Sequence, residues 1–332
     1  MIDLRNLTLE DMQELMASLH EKPFRARQVF DWVNKGIVDF ESMKNISKPL
    51  LEKLKEKAYL DNCKVIDVQK SKDGTLKVLN ALYDGELVES VFMKYKHGYS
   101  ACISTQVGCR MKCQFCASTI NGMKRHLSAG EMLGQIYTLQ NHTGQRINNV
   151  VLMGSGEPLD NYEASVRFIK MAIDEKGLNL SARHITLSTC GLVPQIIRLA
   201  NEGLQITLAI SLHNPFDDQR SHIMPINKSY GVIELVKAVD TYIEKTNRRV
   251  TFEYALIEGE NDSIKHATRL GELLKGKRVH VNLIPINPVK EHAFSPSQTQ
   301  AMMAFKQTLE KRFGIQTTIR RELGSDINAA CG

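Results

Sequence analysis

Three cysteines fall within eight residues, Cys109-x3-Cys113-x2-Cys116. Three thiolates can each hold one iron of a [4Fe-4S] cluster and leave the fourth iron open. A closed structural zinc site wants four ligands, so zinc here would need His126 or a remote cysteine to complete it. The missing fourth cysteine favours the cluster. Phe115, just before the last cysteine, could shield such a cluster or simply pack. A second segment, Met153-Gly154-Ser155-Gly156-Glu157-Pro158-Leu159, combines glycines that let a backbone approach a ligand closely with a carboxylate able to accept from an ammonium. Small and polar side chains recur in Leu187-Ser188-Thr189-Cys190-Gly191, Ile210-Ser211-Leu212-His213 and Ile284-Pro285-Ile286-Asn287-Pro288. Each of these, taken singly, reads equally well as a turn after a buried strand.

These segments need a scaffold that brings them together. From Ser100 onward strand patterns alternate with amphipathic helices, the signature of βαβ units and a parallel sheet. Strands are expected at about 101–105, 148–153, 184–189, 206–211, 250–257 and 279–284, with a short run near 316–321. Ser128-Ala129-Gly130-Glu131 reads as a capping box opening a helix. Six units predict an α/β fold with a partial (βα)6 barrel, because the region is shorter than the roughly 250 residues of a closed eight-fold barrel. Every chemical segment then lies at a strand C-terminal end, where they converge on one pocket.

Ahead of the barrel, helical spacing runs from Thr8 to about Tyr59 (Met12, Leu15, Leu19; Val29, Phe30, Val33; Leu50, Leu51, Leu54). Short β-type runs follow, punctuated by Asp73-Gly74 and Asp84-Gly85 turns, and predict a small antiparallel sheet. The expected division is a helical module at 1–59, a β extension at 60–99 and the barrel with its C-terminal tail at 100–332.

The N-terminus has no apolar leader and no stretch of about eighteen apolar residues occurs, so a soluble, cytoplasmic protein with no membrane partner is expected. Seven cysteines, an odd number, fit metal or redox chemistry better than a disulfide framework. The net charge of +6 lies in the C-terminal two thirds: residues 1–100 carry 16 Lys and Arg against 16 Asp and Glu, the remainder 27 against 21. Clusters at Lys124-Arg125-His126, Arg248-Arg249, Lys275 with Lys277-Arg278, Lys311-Arg312 and Arg320-Arg321 could meet phosphates or form solvated helix ends and loops. No RNP motif or aromatic-interleaved basic run appears.

The cysteine spacing resembles the signature of the radical S-adenosylmethionine (SAM) superfamily, and the Gly-Ser-Gly-Glu-Pro segment resembles its glycine-rich SAM-binding segment. With Cys102, Cys331, Glu89-Ser90-Val91, His213, Arg220 and Met224-Pro225-Ile226-Asn227, the chain resembles the RlmN/Cfr family of RNA adenine methyltransferases from about Phe24 to its last residue. That resemblance implies one [4Fe-4S] cluster on Cys109, Cys113 and Cys116, with SAM contacts at Gly156, Glu157, Ser188, Ser211, Leu212, His213 and Asn287. It implies two SAM molecules per turnover. One methylates Cys331; the other yields the radical that activates this methyl group for addition to the base. Glu89 then takes the ring proton, and Cys102 resolves the protein–RNA adduct as a disulfide with Cys331.

The substrates it implies are adenosine 2503 of 23S rRNA and adenosine 37 of tRNAs, methylated at C2 by a monomer served by a reductase system. The N-terminal helices and the Lys/Arg clusters would grip folded RNA while the adenine flips into the barrel. The alternative is a Cfr-type C8 methyltransferase of the same rRNA adenosine. Gln106-Val107-Gly108-Cys109, Gly156-Glu157-Pro158 and Leu283-Ile284-Pro285 follow the C2 branch, where C8 enzymes tend to carry Gln-Cys-Gly-Cys, Gly-Glu-Ala and Leu-Ile-Arg. A non-enzymatic RNA-binding protein with a structural cluster gives Cys102, Cys331 and Glu89 no role. Two departures stand out: Ser155 where the family often has Met, and Ile286 where it often has an aromatic residue.

Overall fold

Apolar residues at helical spacing near the N-terminus must bury their stripe against something, and they bury it against one another. The computed structural model describes residues 1–61, 63–96, 98–287, 294–327 and 329. A short strand β1 (Ile2–Asp3) is followed by α1 (Leu9–Ser18), α2 (Phe24–Val33) and α3 (Lys48–Lys57), and β2 (Ala58–Tyr59) returns to pair with β1 in parallel. Thr8 and Asp11 cap α1 reciprocally. Met12, Leu15, Val29, Phe30, Val33, Leu50 and Leu54 form a cluster of their own. Each such side chain contributes about 1.5–3 kcal/mol on burial.

This module docks on the barrel through polar contacts. The buried Arg5 side chain donates to the carbonyls of Asp61 and Ile37 and lies over the Tyr137 ring, while Gly130 N–H donates to Asn6 Oδ1. Beside it, Asp3 Oδ1 accepts from the backbone N–H groups of Arg5 and Asp61, and Oδ2 is buried with no hydrogen-bond partner. Burial pushes the Asp3 carboxyl up from 3.8 to about 6, against the pull of those hydrogen bonds. The folded chain therefore binds this proton in a range where the unfolded chain has lost it. The contribution is fully present below pH 3.8 and is lost as pH rises through about 6. Between pH 4 and 6 the wild type should lose up to about 1.4 kcal/mol per pH unit relative to Asp3→Asn. Urea unfolding of both proteins across that window checks this, and parallel pH profiles would refute it.

The barrel sheet begins with the predicted extension. Strands β3 (Lys64–Lys70), β4 (Leu76–Ala81) and β5 (Leu87–Tyr95) form an antiparallel run, and β5 pairs antiparallel with β6 (Gly98–Cys102). The chain then makes a hairpin of β7 (Gln106–Gly108) and β8 (Met123–His126), and enters α4 (Ala129–Thr143) through the expected capping box of Ser128 and Glu131. The βα units continue as β9 (Asn149–Leu152), α5 (Tyr162–Ile173), β10 (Ile185–Thr189), α6 (Val193–Leu199) and β11 (Thr207–Ser211). After α7 (Asp217–Ile223) and α8 (Val232–Thr246) come β12 (Val250–Leu256), α9 (Ile264–Leu274), β13 (Val279–Pro285), α10 (Thr299–Phe313) and β14 (Thr317–Ile319).

Among the described residues ten strands form one sheet in the order β14-β13-β12-β11-β10-β9-β6-β5-β4-β3, parallel from β14 to β6. Its edges β14 and β3 are not paired with each other, so the barrel is partial. The antiparallel strands expected as a separate small sheet are thus continuous with the barrel, and Val78, Leu82, Val88 and Phe92 share its core. The first barrel strand, expected to reach residue 105, stops at Cys102 and hands the next residues to the β7–β8 hairpin. Among the described residues no helix is long and apolar enough to cross a membrane.

Candidate active site at the mouth of the partial barrel

The cysteine loop joins β7 to β8 at the C-terminal ends of the parallel strands. It is fastened to the glycine-rich segment after β9 from several sides. The backbone N–H groups of Thr105 and Gln106 donate to the Ser155 carbonyl at 2.8 and 3.1 Å. Gln106 Oε1 accepts from Glu157 N–H at 2.9 Å, and its Nε2 donates to Asp160, which also receives the Arg110 guanidinium. Asn161 Nδ2 donates to the carbonyls of Thr105 and Leu127. Glycine is required where the two loops meet. A Cβ on Gly154 would lie 2.7 Å from the Ile103 carbonyl, and one on Gly156, at φ +108°, would lie 2.7 Å from Thr105 Oγ1 and Gln106 Cβ. The serine between them does its joining through its carbonyl, which explains why the side chain at 155 is free to differ from the common methionine.

A cavity of about 810 Å³, including open solvent at its mouth, is lined by Cys109, Cys113, Cys116, Gly156, Glu157, Ser188, Ser211 and His213. Eight of the residues expected at the site are therefore gathered on one wall. Leu212, the residue after β11, turns its side chain into the apolar core. Only its backbone faces the site region, accepting from Arg220 Nε and donating to the Glu253 carbonyl. Asn287, two residues past β13, is half-buried and not on the described wall. Cys331 lies outside the described residues.

Burial, then repulsion from neighbouring groups, holds the Cys109 thiol at about 11 and pushes Cys113 higher still. A bound cation would reverse that order. Among the described residues no three His, Cys, Asp or Glu side chains converge on a single ion position; a cluster instead takes one thiolate per iron. His126 hydrogen-bonds Gln106 through Nδ1. A fourth cysteine, Cys190, also reaches this wall, but its buried thiol is hydrogen-bonded to the Glu157 carboxylate and raised by burial and that charge. It is held as a thiol. The three-cysteine loop thus fits a cluster with one open iron. Phe115 stands edge-on to the His213 ring at 5.0 Å, and Ile286, packed with Cys113, Phe115 and Cys190, fills the apolar side of the site.

The remaining groups are fixed by backbone contacts. Glu157 is fully buried, with Oε1 accepting from Leu159 N–H at 2.9 Å and Oε2 from Cys190 N–H at 2.8 Å. The Cys190 thiol and the Thr189 hydroxyl also hydrogen-bond it, so its roughly four acceptor sites all have partners within the chain. His213 accepts from Ala255 N–H at Nδ1, which leaves its proton on Nε2, and burial followed by the Arg220 charge lowers it to about 3. It is a neutral imidazole. Arg220 is wholly buried and ties the ends of β10 and β11 to the loop after α7. Its role was not readable from spacing. Nor were Glu253 and Arg320, which also line the cavity; the available signal was a lone carboxylate in an otherwise strand-like run.

A second, larger cavity holds Glu89 and Cys102 and shares Cys116, Met153 and Gly154 with the first. Glu89 is half-exposed, 3.4 Å from Lys77 Nζ. Cys102 packs with Met93 and with Ala329, two residues before Cys331. Among the described residues no two cysteines are joined by a disulfide. The basic clusters divide by strand direction. Lys124 and Arg125 lie within β8 of the hairpin that carries the cysteine loop and Arg320-Arg321 follow β14, whereas Arg248-Arg249, Lys277-Arg278 and Lys311-Arg312 precede strands and lie at the opposite end. Lys124 is paired with Glu86, and Arg125 with Asp84 and Glu131.

The "Ribosomal RNA large subunit methyltransferase N-terminal domain" model matches residues 2–60, and the "Radical SAM superfamily" model matches residues 103–270. A probable dual-specificity RNA methyltransferase RlmN of Clostridium tetani is 57% identical over all of this chain and 95% of its own length. The chain belongs to the RlmN family. A second RlmN relative, from Alkaliphilus oremlandii, is 54% identical over all of this chain and 96% of its own. A radical SAM methyltransferase from Sphaerobacter thermophilus, known by crystal structure, superposes with a TM-score of 0.96 at 42% identity, covering 100% of this chain and 98% of that one. Radical SAM enzymes of this family use a [4Fe-4S] cluster and SAM, and the cavity with Cys109, Cys113 and Cys116 is where this chain can hold them.

Proposed function

We propose that this RlmN-family enzyme methylates C2 of an adenine in both 23S rRNA and tRNA, with Cys331 as methyl carrier. RNA methyltransferase activity belongs to the family. The C2 position and the roles of individual residues are our reading. What supports it above all is the pair of adjoining cavities: one carries the three cluster cysteines and Glu157, the other Glu89 and Cys102, with Cys116, Met153 and Gly154 as a shared wall.

Adenine C2 is poorly nucleophilic, so direct displacement from SAM cannot reach it and a radical route is needed. The cluster, when bound, supplies the electron that cleaves SAM. Cys109, Cys113 and Cys116 hold it, and Gly156, Glu157, Ser188, Ser211 and His213 orient SAM. The adenine, flipped from its RNA, enters the second cavity against Leu87, Val91 and Val107. There Glu89 accepts the ring proton. The Cys102 thiolate then attacks the Cys331 sulfur; the bond from that sulfur to the transferred carbon breaks, its electron pair leaves with the carbon, which takes a proton to become the methyl group, and the two sulfurs remain as a disulfide that a reductant must reopen. Two SAM molecules are consumed per turnover, one to load Cys331 and one for the radical. A monomer working with a cytoplasmic reductase system suits that cycle. Residues 1–59 contact the RNA, helped by cations on the mouth side.

Mass spectrometry of the Cys331 peptide tests this reading. Methylated Cys331 is expected in wild type and not in Cys109→Ala, and methyl-adenosine from treated RNA is expected at C2. A bare Cys331 in protein reconstituted with iron, sulfide and SAM would overturn the carrier assignment, and a C8 product would overturn the position.

A further inference from the structure

The turn between β3 and β4, Ser71-Lys72-Asp73-Gly74-Thr75, does more than reverse the chain. Its own closure takes one Asp73 oxygen: Oδ1 accepts from Thr75 N–H at 2.9 Å, while Ser71 N–H donates to the Thr75 carbonyl at 2.9 Å. The other oxygen holds a segment 251 residues away, Oδ2 accepting from Gly324 N–H at 2.9 Å. The contact is reciprocated two residues later, where Asp326 Oδ2 accepts from Lys72 N–H at 3.2 Å and the same carboxylate hydrogen-bonds Ser71. Gly324 seats closely: at φ +67°, a Cβ there would lie 2.9 Å from Thr75 Cγ2 and 2.8 Å from Ala329 Cβ. From that seat the tail folds back, the N–H groups of Ile327 and Ala329 donating to the Gly324 carbonyl at 3.2 and 3.0 Å. Leu323 and Ala329 pack on Val91, Met93 and Cys102, and Ala329 lines the cavity that holds Glu89.

Among the described residues from 321 to 329 only Gly324 is buried. Hydrophobic burial therefore does little to place the tail, and the charge-assisted hydrogen bonds of the two carboxylates carry that task. Cys331 follows Ala329 by two residues, at most about 7 Å of chain. Whatever anchors Gly324 and Ala329 thus fixes the origin from which the Cys331 sulfur must meet Cys102. We propose that the Ser71–Thr75 turn is a clasp for the methyl-carrier segment, with Asp73 and Asp326 as positioning residues for the attack of Cys102 on Cys331. This rests on the carrier reading above. The two carboxylates act through the tail, by raising the effective concentration of one sulfur at the other.

Disulfide equilibrium measures that concentration directly. Protein expressed under iron limitation and loaded with its cluster without SAM, so that Cys331 carries no methyl group, is equilibrated anaerobically in glutathione buffers. Thiol trapping and mass spectrometry of the Cys102 and Cys331 peptides then give the equilibrium constant. In the exchange the two thiols give up two protons and two electrons to glutathione disulfide, which leaves as two glutathione molecules. Combining Asp73→Ala with Asp326→Ala should lower the constant about fivefold or more, since exposed hydrogen bonds to charged acceptors are lost on both sides of the clasp. Asp326→Asn retains an acceptor for Lys72 N–H and should match wild type, a rescue that a general change in stability would not produce. Should the double variant disturb the turn, Gly324→Ala displaces the tail from its own side and should lower the constant in the same way. An unchanged constant in the folded double variant and in Gly324→Ala overturns the clasp, and the carrier reading stands if wild type forms the disulfide. A wild type that forms no Cys102–Cys331 disulfide at any glutathione ratio overturns both.

Discussion

Cys113→Ala is expected to take RNA methylation to background, at least about a thousandfold below wild type, and to remove the iron-sulfur absorbance with it. Cys113 is 8% exposed and sits in an apolar cluster with Phe115, Cys190, Ile223, Met224, Ala255, Ile257 and Ile286. In that setting a lost ligand has no ready substitute. The nearest candidate, Cys190, is committed to the Glu157 carboxylate by its hydrogen bond. The fold itself should survive, since replacing a thiol by hydrogen deletes one buried atom and costs about 1 kcal/mol. Cys63→Ala is the matched control. It makes the same chemical change at an equally buried thiol, but one packed against Gly134 and the Glu131 carbonyl, away from the cavity. Iron content, visible absorbance and methylation should be normal in that variant. Near-normal iron and methylation in Cys113→Ala would remove Cys113 from the cluster.

The contrast between these two cysteines shows what a linear reading can and cannot reach. Cys109, Cys113 and Cys116 are legible as candidate cluster ligands because their spacing is local, confined to a few consecutive residues. The βα alternation was legible for the same reason: hydrophobic period is a property of a short window, and strands at 149–152, 185–189, 207–211, 250–256 and 279–285 fall inside or within a residue of the expected runs. The Ser128 capping box, an i to i+3 relation, was equally visible.

What escaped depends on partners far apart in the chain. The sheet is continuous from β3 to β14 because β5 pairs with β6 across a turn, and no pattern within either strand states whether an edge is covered or joined. The β7–β8 hairpin rests on Gln106 meeting His126 across the cysteine loop, where the irregular residues gave no alternation to follow. The basic clusters looked alike as sequence, but strand direction puts some at the mouth and others at the far end, and Glu86, Asp84 and Glu131 neutralise two of the cations at the mouth. Burial is likewise invisible one residue at a time: Glu253 and Arg220 would be taken for surface charges in any window of their neighbours.

Arg220 gives the largest stability effect expected from a single substitution. The side chain is fully buried, and its hydrogen bonds go to neutral oxygens: Nε to the Leu212 carbonyl at 2.9 Å, Nη1 to Asn227 Oδ1 at 2.9 Å, and Nη2 to the carbonyls of Cys190 at 2.7 Å and Ser211 at 3.2 Å. It therefore ties the ends of β10 and β11 to the loop after α7. Burial lowers the guanidinium from 12.5 to about 10, so part of the hydrogen-bond gain is spent on desolvation. Arg220→Met fills similar space and recovers that desolvation, but takes the donor from Asn227 Oδ1 and the carbonyls of Cys190 and Ser211, while the Leu212 carbonyl keeps the Asn214 N–H at 2.7 Å. At about 1–3 kcal/mol for each buried group left unpaired, less the charge recovered, the net loss should be about 3 kcal/mol or more. Arg220→Lys keeps the charge without the planar fork and should fall between the two. Urea unfolding provides the measurement, and an unchanged midpoint in Arg220→Met would refute the clamp. The difference from wild type should also stay constant from pH 6 to 8, because the guanidinium is protonated in both folded and unfolded chains throughout that range.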